Sequence, residues 1–133
     1  MQFTPYLNFN GNCEQAFKFY EQTLGAKIES TFRYEGSPMA GQVPPEWGQR
    51  VMHGSMTLPN GVLMGADAPP GHYQQPAGFS VCINAKDPAE AERKFEALSK
   101  GAKIVMPIQQ TFWARRFGML VDQFGIPWMI SCE

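Results

Sequence analysis

The tetrapeptide Gly-Ala-Lys-Ile stands at 25–28 and again at 101–104, an offset of 76 positions. Internal repetition constrains a fold more than any local pattern, because each copy must bury its apolar surface against something of matching shape. Here each copy closes a segment with helical signals. The first segment opens at Asn12, with Gln15 at capping-box spacing, and sets Ala16, Phe19, Tyr20 and Leu24 on one apolar face. Gly25 supplies the left-handed residue that ends it. The second opens on Asp87 as N-cap, with Pro88 at the first helical position and Glu90 at the third. Ala91, Phe95 and Leu98 form its stripe, Gly101 ends it, and Phe19 and Phe95 coincide under the offset.

Short strand-like runs precede each helix, at 3–9 and 79–84, and follow it, at 26–34 and 102–109. In the 26–34 run Ile28, Ser30, Phe32 and Tyr34 fall on one face. A hairpin then closes each half, over 50–67 and 115–131, with Asn60-Gly61 as a tight-turn signal and Gly125 matching Gly61 at an offset of 64. The change of offset places 12 extra residues in the first half. They fall in 35–50, whose three Gly and three Pro predict irregular chain. This stretch reads as a lid, an arm around a second subunit anchored by Trp47, or a solvent loop. The expectation is α+β: two tandem βαβββ modules, about 1–67 and about 78–133, in a single domain spanning 1–133.

Composition narrows the partners. Hydrophobic residues make up 44% of the chain, too many for a disordered protein. Net charge is −1 and the longest basic run is Arg115-Arg116, so no footprint for nucleic acid is present. No apolar run nears the ~20 residues of a membrane helix, and the N-terminus lacks signal-peptide features. Cys13, Cys82 and Cys132 are odd in number and widely spaced, which reads as reduced thiols in a cytoplasmic protein. Cys82 reads as a small buried hydrophobe. Cys13 begins a helix, where the dipole could lower its thiol pKa.

The residues Pro5-Tyr6-Leu7-Asn8-Phe9-Asn10-Gly11-Asn12-Cys13, Phe19-Tyr20, Leu24-Gly25-Ala26, Met64 to Asp67 and Thr111-Phe112-Trp113-Ala114 carry a resemblance. So do Phe117-Gly118, Asp122, Phe124-Gly125 and Pro127-Trp128-Met129-Ile130 near the end. Together they resemble the vicinal-oxygen-chelate superfamily of glyoxalase I, fosfomycin-resistance, extradiol dioxygenase and bleomycin-binding proteins, within it the PhnB-like branch. The resemblance implies curved mixed sheets around a cup and a homodimer. It also implies, in metal-dependent members, a divalent ion held by His, Gln or Glu from the first and last strands of each module. The matching positions here are Pro5, Met64 or Gly65, one of Gly78, Phe79 and Ser80, and Met129. Thioethers suit hard or borderline ions poorly, so the expectation is no family-type metal site and no cofactor. His53, Asp67, His72 and Asp122 match no ligand signature; His53 reads as a neutral polar lining residue and His72 as a loop residue.

Relatives sometimes carry a ubiquinone-methyltransferase label, yet no glycine-rich cofactor turn follows a strand here. The aromatic-basic run 111–118 is the foremost candidate for binding. One of Arg115 and Arg116 is expected to face the cup and present a planar fork to a phosphonate, phosphate or carboxylate. Trp113 and Phe117 divide evenly between pocket wall and core, whereas Trp128 reads as core. Tyr6, His53, Met64 and Asp67 lie on strands facing the same hollow. The resulting expectation is a small-molecule-binding protein for a small polar or anionic organic compound. Two alternatives are a metal-dependent lyase, isomerase or transferase, and a structural or interaction module whose cup is filled by its own side chains.

Overall fold

A computed structural model describes all residues, 1–133, and resolves the chain into two compact units, Met1–Gln75 and Pro76–Glu133. The first contains β1 (Tyr6–Phe9), α1 (Cys13–Leu24), β2 (Lys27–Arg33), β3 (Val51–Leu58) and β4 (Gly61–Asp67). The second repeats the order with β5 (Val81–Asn84), α2 (Pro88–Leu98), β6 (Lys103–Gln109), β7 (Arg116–Val121) and β8 (Pro127–Cys132). Each unit has one four-stranded sheet, ordered β1-β4-β3-β2 or β5-β8-β7-β6. The first strand of each unit runs parallel to the last, and the other pairs are antiparallel. The βαβββ plan is therefore present twice, in an α+β fold.

In each unit the helix packs on one face of its sheet through an aromatic ring set against glycine. Phe17 lies 3.0 Å from where a Cβ on Gly54 would stand and 3.2 Å from one on Gly65, while Phe95 lies 2.7 Å from one on Gly118. A Cβ at Gly65 or Gly118 would force its neighbours to shift, and one at Gly54 would crowd the Phe17 ring. The buried face of α1 is Cys13, Ala16, Phe17, Tyr20 and Leu24, so Phe17 and not Phe19 is the counterpart of Phe95. The helices correspond at an offset of 78, two more than the Gly-Ala-Lys-Ile copies. Full burial of each ring contributes about 1.5–3 kcal/mol.

Four local expectations are corrected, the first of them by a long-range contact. The side chain of Asn12 makes no capping bond, and its Oδ1 is buried without a hydrogen-bond partner. The Cys13 N–H is instead taken by Asp67, on β4. In β2, irregularities between Ile28 and Ser30 and between Phe32 and Arg33 break the alternation and leave Phe32 55% exposed. Leu58 pairs with Gly61, so the turn residues are Pro59 and Asn60. The 35–50 segment contains two single 3₁₀ turns, Ala40–Gln42 and Pro45–Trp47. At α2 the expected cap is present: Asp87 accepts the Glu90 N–H at 2.7 Å, and Glu90 accepts that of Lys86 at 3.3 Å.

Candidate functional site

Strand alternation gives each sheet a helix-covered face and a helix-free face. In the first unit Leu7, Phe9, Leu63 and Gly65 point toward α1, leaving Tyr6, Asn8, Met64 and Ala66 on the other side. Over that side lies a concave pocket of about 440 Å³. Tyr6 and Asn8 from β1, Met52 from β3, and Ala66 and Asp67 from β4 form part of its lining. Met39 comes from the 35–50 segment, and Pro69, His72 and Gln74 from the connection after β4. The lining contains no Lys or Arg.

Asp67 organises the rim. Its Oδ1 accepts the Cys13 N–H and its Oδ2 the Val51 N–H, both at 2.9 Å, and its carbonyl accepts the Tyr34 hydroxyl at 2.7 Å. Burial pushes its carboxyl up from the ordinary carboxylate range; the N–H bonds from Val51, Cys13 and Gly11, together with the charge of Arg50, act in the opposite direction. Arg50 reaches the Gly11 carbonyl at 2.7 Å and lies 5.7 Å from the Trp47 ring centre. Trp47 also meets Tyr34 edge-on, so the 35–50 segment is anchored within its own unit. The same carboxylate contributes to the chemistry of Cys13. Burial first, then Asp67 and Glu14, drive that thiol far above its usual value, which overrides any lowering by the helix dipole.

Of the residues singled out in the sequence, the first unit brings together Tyr6, His53, Met64 and Asp67. Tyr6 lines the pocket from the helix-free face, whereas Asp67, in step with Leu63 and Gly65, turns its carboxylate to the α1 side instead of into the hollow expected for it, and its main-chain carbonyl meets the pocket residue Tyr34. The Tyr6 hydroxyl is 2.9 Å from His53 Nδ1, and the His53 ring stacks on both Tyr6 and Phe32. Met64 is the β4 neighbour of Tyr6. Asn8, Met39, Met52 and Gln74 escaped the sequence reading. Two of them sit on irregular segments, whose return path carries no local signal; Asn8, on β1, was visible only through the alternation it shares with Tyr6.

The second unit arranges its candidates differently. Phe112 is 97% and Trp113 49% exposed, and Trp113 packs edge-on against both Phe112 and Phe117. Arg115 precedes β7 and bonds the Glu133 carbonyl. Arg116, opposite buried Cys132, lies on the α2 side and meets Glu92 at 2.8 Å. Trp128 is on that side too, 1% exposed, with its indole N–H given to Asp122 at 2.9 Å. Cys82 is exposed on β5, not buried among aliphatic residues as its neighbours in sequence suggest.

The donors do not suit the divalent ion of metal-dependent superfamily members. The helix-free positions of β1, β4, β5 and β8 hold Tyr6, Asn8, Met64, Ala66, Cys82, Asn84, Met129 and Ser131, with no imidazole or carboxylate among them. No group of three His, Cys, Asp or Glu side chains is placed to hold a metal ion. No helix is long and apolar enough to cross a membrane.

Paired βαβββ units with this strand order define the glyoxalase/bleomycin-resistance architecture. The fosfomycin-resistance protein FosX from Listeria monocytogenes shares the fold, at a TM-score of 0.68 with 7% identity over 100% of this chain and 93% of its own. A family profile described as 3-demethylubiquinone-9 3-methyltransferase matches residues 1–131. Protein YjdN of Escherichia coli (strain K12) is 33% identical over 98% of this chain and 95% of its own. The crystal structure of protein PA1353 from Pseudomonas aeruginosa superposes at a TM-score of 0.90, with 41% identity over 100% of this chain and 98% of its own. A PhnB protein from Bacillus cereus, described as a putative 3-demethylubiquinone-9 3-methyltransferase, gives 0.83 at 24% identity over 100% of both chains. The chain belongs to the family whose profile is described as 3-demethylubiquinone-9 3-methyltransferase, and it shares its fold with the PhnB and fosfomycin-resistance structures.

Proposed function

We propose that the protein binds a small polar organic molecule in the pocket of its first unit. The lining of that pocket carries the reading. Met39, Met52 and Pro69 provide apolar walls, while Asn8, Gln74, His72 and the Tyr6 hydroxyl offer hydrogen-bonding groups of both polarities. Its volume, about 440 Å³, falls in the range of small-molecule sites. An anionic ligand is less well served, because no cation lines the pocket and Arg116 is engaged by Glu92 on the helix side of its sheet. In this reading Tyr6, held by His53, positions the ligand, and the Met39 segment is the lid. The protein is a cytoplasmic homodimer in this reading, with a second copy covering apolar side chains such as Val105, 55% exposed; sedimentation velocity tests that assembly.

The ligand assignment is tested by thermal-shift screening of small organic compounds against the wild type and Met52→Trp, which fills the pocket with an indole. Uncharged polar compounds are expected to raise the Tm of the wild type, with Met52→Trp losing that response. Hits retained by Met52→Trp, or anionic hits abolished by Arg116→Ala, would move the site elsewhere and overturn the reading.

A further inference from the structure

We infer, on the reading of the first unit's pocket as a small-molecule site, that it takes a flat, uncharged heterocycle with a lactam- or imide-type edge, laid against the Tyr6 ring and read by the side-chain amides of Asn8 and Gln74. A ladder of aromatic rings carries the shape. Gly54 faces α1, so His53 beside it stands on the helix-free face, with Phe32 directly opposite. Phe32, His53 and Tyr6 follow one another at centroid distances of 6.4 and 5.6 Å, with planes inclined by 25° and 26°. Tyr6 is the member that lines the pocket, and its hydroxyl is 2.9 Å from His53 Nδ1. Ring contact and hydrogen bond together set the Tyr6 plane before a ligand arrives, which lowers the ordering cost of binding. A planar guest gains from that ring in either an offset-stacked or an edge-to-face approach.

The polar groups carry the edge and the charge. Asn8, on β1, and Gln74, on the connection after β4, each bring an N–H donor beside a C=O acceptor. A lactam or imide edge holds the complementary pair, so one such amide can meet it with two parallel hydrogen bonds. No Lys or Arg lines the pocket, and the Asp67 carboxylate is turned to the Cys13 and Val51 N–H groups. A charged guest would therefore lose its hydration without gaining an opposite charge. Tyr34 gives its hydroxyl proton to the Asp67 carbonyl and adds ring surface to the wall. The thioethers of Met39 and Met52 adapt to the outline of a guest and make favourable sulfur–aromatic contacts. A puckered ring with the same edge would keep the hydrogen bonds and forgo these contacts.

The test is titration of the full chain with uracil, dihydrouracil and N,N′-dimethyluracil, followed by ligand-observed NMR. Uracil is flat, dihydrouracil carries the same donors and acceptors on a puckered ring, and the dimethyl compound keeps the plane but has no donor. Uracil is expected to bind at least about 3-fold tighter than dihydrouracil, the worth of one aromatic contact. It is expected to bind at least about 10-fold tighter than the dimethyl compound, which leaves an amide C=O unpaired. Tyr6→Leu, at an exposed position, is expected to level uracil and dihydrouracil. Equal affinity of the wild type for uracil and either analogue would overturn the inference, as would no binding of uracil or an undiminished preference in Tyr6→Leu. Where other compounds still stabilise the wild type and Met52→Trp abolishes their effect, the ligand class alone falls and the pocket stands. Where Met52→Trp keeps that response, both fall. The three compounds on the wild type decide the matter even if Tyr6→Leu fails to fold.

Discussion

Two buried aspartates solve the same problem in different ways. Asp67 accepts main-chain N–H groups from the entry of α1 and the start of β3, while Asp122 accepts those of Phe124 and Ile126 and the Trp128 indole. A buried N–H left without a partner costs about 1–3 kcal/mol. Asp67→Ala strands at least the Cys13 and Val51 donors and is expected to destabilise the protein by about 3 kcal/mol or more, read from urea unfolding. Glu14 makes a more modest contribution. Its carboxylate meets Arg33 at 2.6 Å, and that hydrogen bond and charge hold its pKa below the ordinary 4.5. A lowered native pKa means that the unfolded chain binds the proton first as pH falls. The stabilisation is therefore present above the unfolded value and lost as pH drops through the native one. With both partners partly exposed, it amounts to about 0–1 kcal/mol. Urea midpoints of the wild type and Glu14→Gln are expected to differ at pH 6 and to converge toward pH 3.

At the scale of elements, the contact of a helix ring with a strand glycine recurs in both units and is directly testable. Gly118→Ala would place a methyl group 2.7 Å from Phe95 and 3.1 Å from the Ile108 Cα. The expected cost is about 1–3 kcal/mol in denaturant unfolding. Adding Phe95→Leu should recover part of it, visible as a coupling of about 0.5–3 kcal/mol in a double-mutant cycle. This contact also explains which elements could be read from the chain alone. The start of α2 was legible because Asp87, Pro88 and Glu90 act within one turn. The entry of α1 was not, because its donor goes to Asp67, 54 residues away. Phe19 had the helical spacing of a core residue, yet only the position of Gly54 and Gly65 decides that Phe17 takes the place. The candidate pocket divides likewise: Tyr6 and Asp67 belong to strands with a readable face, whereas Met39, His72 and Gln74 depend on where irregular chain returns.

For the whole molecule, duplication supplied one plan and the halves then diverged. The first half kept a longer connection between β2 and β3, and with it a walled pocket. The second has the shorter connection and exposed aromatics. Its two arginines were the hardest to place from sequence, since alternation could assign one of them inward without showing that β7 begins only at Arg116. The aspartates carry one last consequence, for the sequence of events during refolding. Asp122 reaches partners 2, 4 and 6 positions away, so its hairpin can close before much else is ordered. Asp67 must wait for chain 16 and 54 positions distant, and closing such long loops delays the reward. In stopped-flow chevrons, Asp122→Ala is expected chiefly to lower the folding rate, and Asp67→Ala chiefly to raise the unfolding rate. In refolding of the full chain, the turn held by Asp122 would then close before the contacts gathered by Asp67.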